Sequence, residues 1–293
     1  MAFKPWFLLV VALTAQAAVI PELRGKLSAG DLSSADAIVA EYRQANGETP
    51  EYAAAVAWLA RGALSFGHKS EAAAYLAQAK ALVAKFGKTA NVEEDGQLLG
   101  AAGTCVEVEG LLMAARGQKP QAIAFLTAER SRWKSFQIRA RIEKTINLLQ
   151  LEGRSAPVSQ PEWAGKPVML FLWAPWCGDC KAQAPAVARV IQKYVPKGLL
   201  VVAPTRHYGY LPGVEYASAA QEDAYIQAQW REFMPGQERI AHPVSDPLMI
   251  AYGASSTPTI VLIDTKGIVR MYKPYRMSEA ALSRRVEALL AGR

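Results

Sequence analysis

The chain has 293 residues, 51% hydrophobic and 20% charged, with a formal net charge of +7. That composition excludes a disordered or fibrous chain, and the length suits two domains. Only Arg130-Ser131-Arg132 and Arg139-Ala140-Arg141 gather positive charge, which reads as solvated helix face and not as a nucleic-acid patch.

In chain order, residues 1–17 carry the marks of an export signal. Lys4 is the only charge in this stretch, Trp6 to Leu13 is a short apolar run, and Ala15-Gln16-Ala17 supplies a small-residue cleavage site. The expectation is an exported, periplasmic protein, membrane-anchored if the signal stays uncleaved. No other segment reads as a bilayer span of about 20 apolar residues.

From about Gly30 to Leu151 the sequence is Ala-rich with helical periodicity. Asp31 or Ser33 caps a helix ending at Asn46-Gly47. Thr49-Pro50 opens a second to about Gly67, Ser70 a third to Phe86, Asp95 a fourth to Arg116, Lys119-Pro120 a fifth, and Ser135 a sixth. Short links favour antiparallel pairs. The spacing through Ala74-Tyr75-Leu76 and Ala81-Leu82 resembles a tetratricopeptide-type helix, which predicts a repeat-like bundle over 18–151.

Gly153, Pro157 and Pro161 make 152–161 a linker. Over 162–293 the pattern changes to strands at Pro167–Trp173, Leu199–Ala203, Thr259–Ile263 and Ile268–Tyr272. Helices are expected at Cys177–Tyr194 and Glu222–Phe233, with a last one capped by Ser278 and ending at Leu290. Strands alternating with helices indicate an α/β domain. The predicted fold class is therefore an all-helical bundle followed by an α/β domain.

Of three cysteines, Cys177 and Cys180 form a C-x-x-C pair and Cys105 stands alone. With His68, His207 and His242 dispersed, a structural zinc site lacks its ligands. No metal site is expected. A C-x-x-C directly after a buried strand and opening a helix points to redox chemistry. Cys177 would sit where unpaired helix N–H groups stabilise a thiolate, the attacking species in disulfide exchange. Cys180, one turn inside, would resolve the mixed disulfide, and Trp176 would shield the pair.

The block Phe171-Leu172-Trp173-Ala174-Pro175-Trp176-Cys177-Gly178-Asp179-Cys180-Lys181 resembles the active site of the thioredoxin superfamily, and within it the exported TlpA/ResA-like oxidoreductases. Ser155-Ala156-Pro157, Gly165 to Val168, Pro185, Thr257-Pro258-Thr259 and Val261 to Asp264 extend the resemblance from Ser155 to the C-terminus. It implies a thioredoxin-like fold, a cis-proline at Pro258, and Thr257 as a backbone edge for substrate beside Trp176. Two departures follow. Thioredoxin's buried carboxylate position holds Phe171, and the glutamate of many ResA-like reductases is Gln183. Gly178, Asp179 and Gln183 are thus candidate tuners of the potential. The Asp179 charge should oppose ionisation of Cys177 and favour the reducing direction.

Outside the motif, His207, Glu215 and Tyr216 fall in an insertion running to about Ile240, able to form a lid or dock on the helical half. His242 reads as structural. Cys105 reads as a buried core residue, with a partner thiol as the alternative. Trp58, Trp133 and Phe136 are core or groove residues. The expected activity is disulfide reduction without a bound organic cofactor, acting on protein disulfide clients and recharged by a membrane or exported dithiol donor. A Cu(I)-handling chaperone and a helical partner-binding scaffold are the alternative readings. The oligomeric state is open.

Overall fold

The computed structural model describes residues 18–214 and 216–292; the expected export signal (1–17) and Glu215 lie outside the described residues. The first half is helical: α1 (Val19–Ser28), α2 (Leu32–Asn46), α3 (Pro50–Ser65), α4 (Lys69–Phe86), α5 (Gly96–Ala115), α6 (Lys119–Arg132) and α7 (Phe136–Gln150). Asp31 caps α2 through the N–H of Ser34, and Thr49 caps α3 through that of Tyr52. Both caps answer the signals in the sequence.

One helix went unread. α1 lacks a side-chain cap and contains Pro21, so its local signal is weak. It is held by tertiary contacts instead: Val19 and Leu23 enter the helical core, and the Val19 N–H donates to Glu51 Oε1 at 2.8 Å. Ser135 precedes α7 but makes no side-chain cap; its N–H donates to Glu93 Oε2 at 2.7 Å.

α5 corrects the expectation about membrane spans. By length and composition Gly96–Ala115 could cross a bilayer, yet 67% of its most apolar window is buried inside the bundle. Gly103 and Gly110 serve that burial. A Cβ at Gly110 would lie 2.7 Å from Leu126 Cδ2, so the absent side chain lets α5 and α6 close on each other.

The second half is built on a four-stranded sheet of order β2-β1-β3-β4. β1 (Val168–Leu172) runs parallel to β2 (Leu200–Val202) and antiparallel to β3 (Thr259–Ile263), which pairs antiparallel with β4 (Val269–Pro274). Every residue of β1 and β3 is buried, because both faces are covered. On one face Met169 and Phe171 meet α8 (Gly178–Tyr194), α9 (Ala219–Phe233) and α11 (Glu279–Leu290). On the other, Val168, Leu170 and Leu172 meet α10 (Asp246–Ala251), Trp163 and Leu151. The six residues of α10 are too few to show a helical period, and it escaped the sequence reading. α9 starts earlier than expected because Ser218 and Gln221 form a capping box.

The stretch 152–161 is tied down rather than loose. Gly153 and Ala156 donate to the carbonyls of Val269 and Gly267, Val269 donates to Arg154, and Ser155 bridges Ile268. The halves also meet directly. Asn147 Nδ2 on α7 donates to the Ala251 carbonyl at 3.1 Å. Gly253, at φ 60°, sits so close to α7 that a Cβ there would fall 2.2 Å from the Lys144 backbone nitrogen. Behind this contact, Glu107 is buried among Lys144 (2.8 Å), Arg141 (2.9 Å) and Arg61 (3.7 Å). Burial alone would raise its pKa, but the three cations outweigh it and hold the carboxylate well below its usual range.

Candidate active site

The site begins where β1 ends. Trp173 is buried against Trp230 and Phe233, its Nε1 donates to the Ala203 carbonyl at 3.0 Å, and its own carbonyl accepts from Thr205 Oγ1 at 2.9 Å. This anchorage aims the following loop at the start of α8. Cys177 is the N-cap of α8, and its Sγ accepts the Cys180 N–H at 3.0 Å. Cys177 and Cys180 are joined as a disulfide with Cα atoms 5.2 Å apart. Cys180 is fully enclosed, whereas Cys177 keeps a small exposed edge beside the half-exposed Trp176.

Facing the pair, Cys177 Sγ lies 3.4 Å from the Thr257 carbonyl oxygen. The Thr257–Pro258 peptide is cis. The loop is braced from both sides. Thr259 Oγ1 donates to the Ser256 carbonyl at 2.7 Å, and the Tyr275 N–H donates to the Pro258 carbonyl at 2.8 Å. The Tyr275 hydroxyl in turn accepts from Arg61 of α3. The helical half thereby reaches the loop opposite the cysteines.

The Redoxin family profile matches residues 135–289, more than half of the chain. The chain belongs to the Redoxin family. The matched region takes in α7, the last helix of the helical half.

This Redoxin chain is 28% identical over 149 residues to the thiol:disulfide interchange protein DsbE of Xylella fastidiosa, covering 50% of this chain and 66% of that protein. It is 26% identical over 132 residues to the thioredoxin-like protein YneN of Bacillus subtilis, covering 43% and 65%. Among solved structures, a thiol:disulfide interchange protein DsbE from Chlorobium tepidum aligns at 26% identity with a TM-score of 0.38, covering 47% of this chain and 97% of that one.

The remaining sequence candidates of this Redoxin chain fall into distinct surroundings. Phe171 is core. Gln183 is buried; its Oε1 accepts the Met277 N–H at 2.8 Å, and its Nε2 has no partner among the described residues. Asp179 is exposed, with Arg276 at 3.8 Å. A Cβ at Gly178 would meet nothing within 4 Å, so space does not dictate glycine there. Cys105 is buried in the helical core.

His242 stacks on Trp230 with ring centroids 4.8 Å apart and packs structurally. His207 Nε2 lies 2.7 Å from Asp223 Oδ1, and Tyr216 is exposed. Arg24 and Arg61 both lie over the Trp58 ring, and Trp133 Nε1 donates to Glu129.

Several neighbours of the site take their role only from the fold. Glu222 is buried and accepts the N–H groups of Tyr208 and Gly209, fixing their loop. Tyr208 then packs edge-on to Trp176 at 5.2 Å. Arg206 lies 3.5 Å over the ring of Phe136 from α7, which places Phe136 at the junction of the halves. Ser255, two residues before Thr257, has a buried hydroxyl with no partner among the described residues. These contacts join residues far apart in the chain, and no spacing rule reveals them.

Proposed function

We propose that this chain is an exported thiol–disulfide oxidoreductase that reduces protein disulfides. The observation that carries the reading is the placement of Cys177 Sγ: it accepts a helix N-terminal N–H, borders the Thr257 backbone and is the edge of the pair open to solvent. An N–H donor favours the thiolate over the thiol and so lowers the cost of forming the nucleophile. The Cys177 thiolate attacks one sulfur of the client disulfide, and the other sulfur leaves as a thiolate and takes a proton. The Cys180 thiolate then attacks Cys177 Sγ. The client's second thiolate departs, the Cys177–Cys180 disulfide forms, and two electrons have passed to the client.

Thr257 offers backbone for strand-like pairing with the client, Pro258 shapes that edge, and Trp176 walls it. An exported or membrane dithiol donor regenerates the pair, and no bound organic cofactor is required. Gly178, Asp179 and Gln183 tune the potential. The pattern of residues 1–17 supports export. Asp179 supports the reducing direction, since its charge disfavours an unusually stable thiolate; its exposure and the nearby Arg276 limit the effect.

The test is to incubate Cys180→Ser and Cys177→Ser variants with a protein disulfide substrate. Cys180→Ser should accumulate a reducible mixed disulfide at Cys177 and Cys177→Ser should not. Equal trapping by both overturns the role assignment. A redox titration giving a potential of about −120 mV, that of a strong oxidant, overturns the direction.

A further inference from the structure

A cleft of about 490 Å³ opens between the two halves beside the cysteine pair. Its helical wall is the start of α7, with Phe136, Gln137 and Arg141. Its opposite wall is Trp176, Arg206 and Tyr208, and Ser255 and Thr257 close it next to Cys177. The charged side chains lining it are both arginines. Resting on the disulfide-exchange reading above, we infer that this cleft selects clients with a carboxylate side chain close to the half-cystine under attack.

Three observations converge on an anionic ligand. First, the positive charge is only partly cancelled locally. Arg141 engages Glu107 only through Nη1, and that carboxylate is shared with Lys144 and Arg61. Arg206 meets Asp246 at 3.2 Å through Nε, and Asp246 is largely in solvent. Second, both arginines are held in place. The Arg206 guanidinium lies 3.5 Å over the Phe136 ring, and Arg141 is fixed by Thr104 and Glu107, each at 2.9 Å. A pre-positioned planar fork binds carboxylate with little further loss of freedom. Third, Ser255 lines the cleft and its hydroxyl has no partner among the described residues, which leaves a donor at the cleft wall unused.

Geometry sets the spacing. Ser255 precedes Thr257 by two residues through a turn and a bend, so the two lie within roughly 7 Å of each other. A client strand paired along Thr257 therefore brings a side chain two or three residues from its cysteine into the cleft. The helical half supplies one wall and so takes part in choosing the client.

The experiment uses the reduced protein, freed of excess reductant, and three capped peptide disulfides with Asp, Asn or Lys two residues from cysteine on both sides. Each rate is divided by that peptide's rate with free dithiothreitol, which removes the effect of charge on the leaving thiol. The Asp peptide should react about tenfold faster than the Lys peptide, with the advantage shrinking at high salt. Arg206→Gln, and separately Gln137→Glu, should each cut the Asp-to-Lys ratio at least about threefold. Gln137 is exposed, so its variant tests the cleft even if Arg206→Gln fails to fold. Ratios within about twofold of one another, or ratios unchanged in a folded variant, overturn the inference while leaving disulfide exchange intact. Failure to reduce any of the three peptides counts instead against the oxidoreductase reading.

Discussion

Three cysteines in one chain occupy three chemical settings. Cys177 has an N–H donor and an open edge, Cys180 is enclosed, and Cys105 is packed among the apolar residues of α5 and its neighbours. Burial pushes the Cys105 thiol up to about 12, so almost none of it is thiolate near neutrality. In native protein reduced by dithiothreitol, iodoacetamide should label Cys177 at least about a hundredfold faster than Cys105, followed by mass spectrometry of the digest. Comparable labelling of Cys105 would mean that the helical core opens readily. The motif cysteines were legible because strand, tryptophan and helix start are local signals. Arg206, Ser255 and Glu222 were not, because their meaning comes from partners elsewhere in the chain. Gln183 shows the intermediate case: its position was singled out by resemblance, but only the fold brings it to the Met277 amide.

At the scale of elements, the long helices with an apolar period could be read, with or without a side-chain cap, and α1 and α10 could not. α1 has no cap and α10 is a single short stretch, so tertiary packing decides both. α7 is the element on which the two halves depend most. It lies against the turn that follows α10 at Gly253, where the left-handed φ and the 2.2 Å approach of a Cβ to the Lys144 backbone leave no room for a side chain. Gly253→Ala should therefore cost more than about 2 kcal/mol in urea unfolding, through both strain and loss of contact. It should also slow turnover, because Ser255 to Pro258 follow directly. A variant as stable as the parent would show that α7 and α10 can separate cheaply.

At the scale of the molecule, the Glu107 site sits behind the junction and couples it to pH. Its folded pKa is depressed, so its contribution is complete above the unfolded carboxylate value of about 4.3 and drains away as pH falls below it. Urea midpoints should drop as pH falls from about 5 towards about 3, and the drop should shrink in Glu107→Gln. At neutral pH that variant should lose about 3 kcal/mol or more, since three cations are left without their carboxylate. Equal acid sensitivity in both proteins would assign the pH dependence to other groups.

The stretch 152–161 carries a different consequence. Proline and glycine marked it as a connector, yet its backbone from Gly153 to Ala156 is laced to residues 267–269, where the chain enters β4. Hinges need slack, and this one has been taken up by the sheet. Heat should thus melt bundle and sheet in one cooperative step, with calorimetric and van't Hoff enthalpies in agreement, where a freely jointed pair would give two.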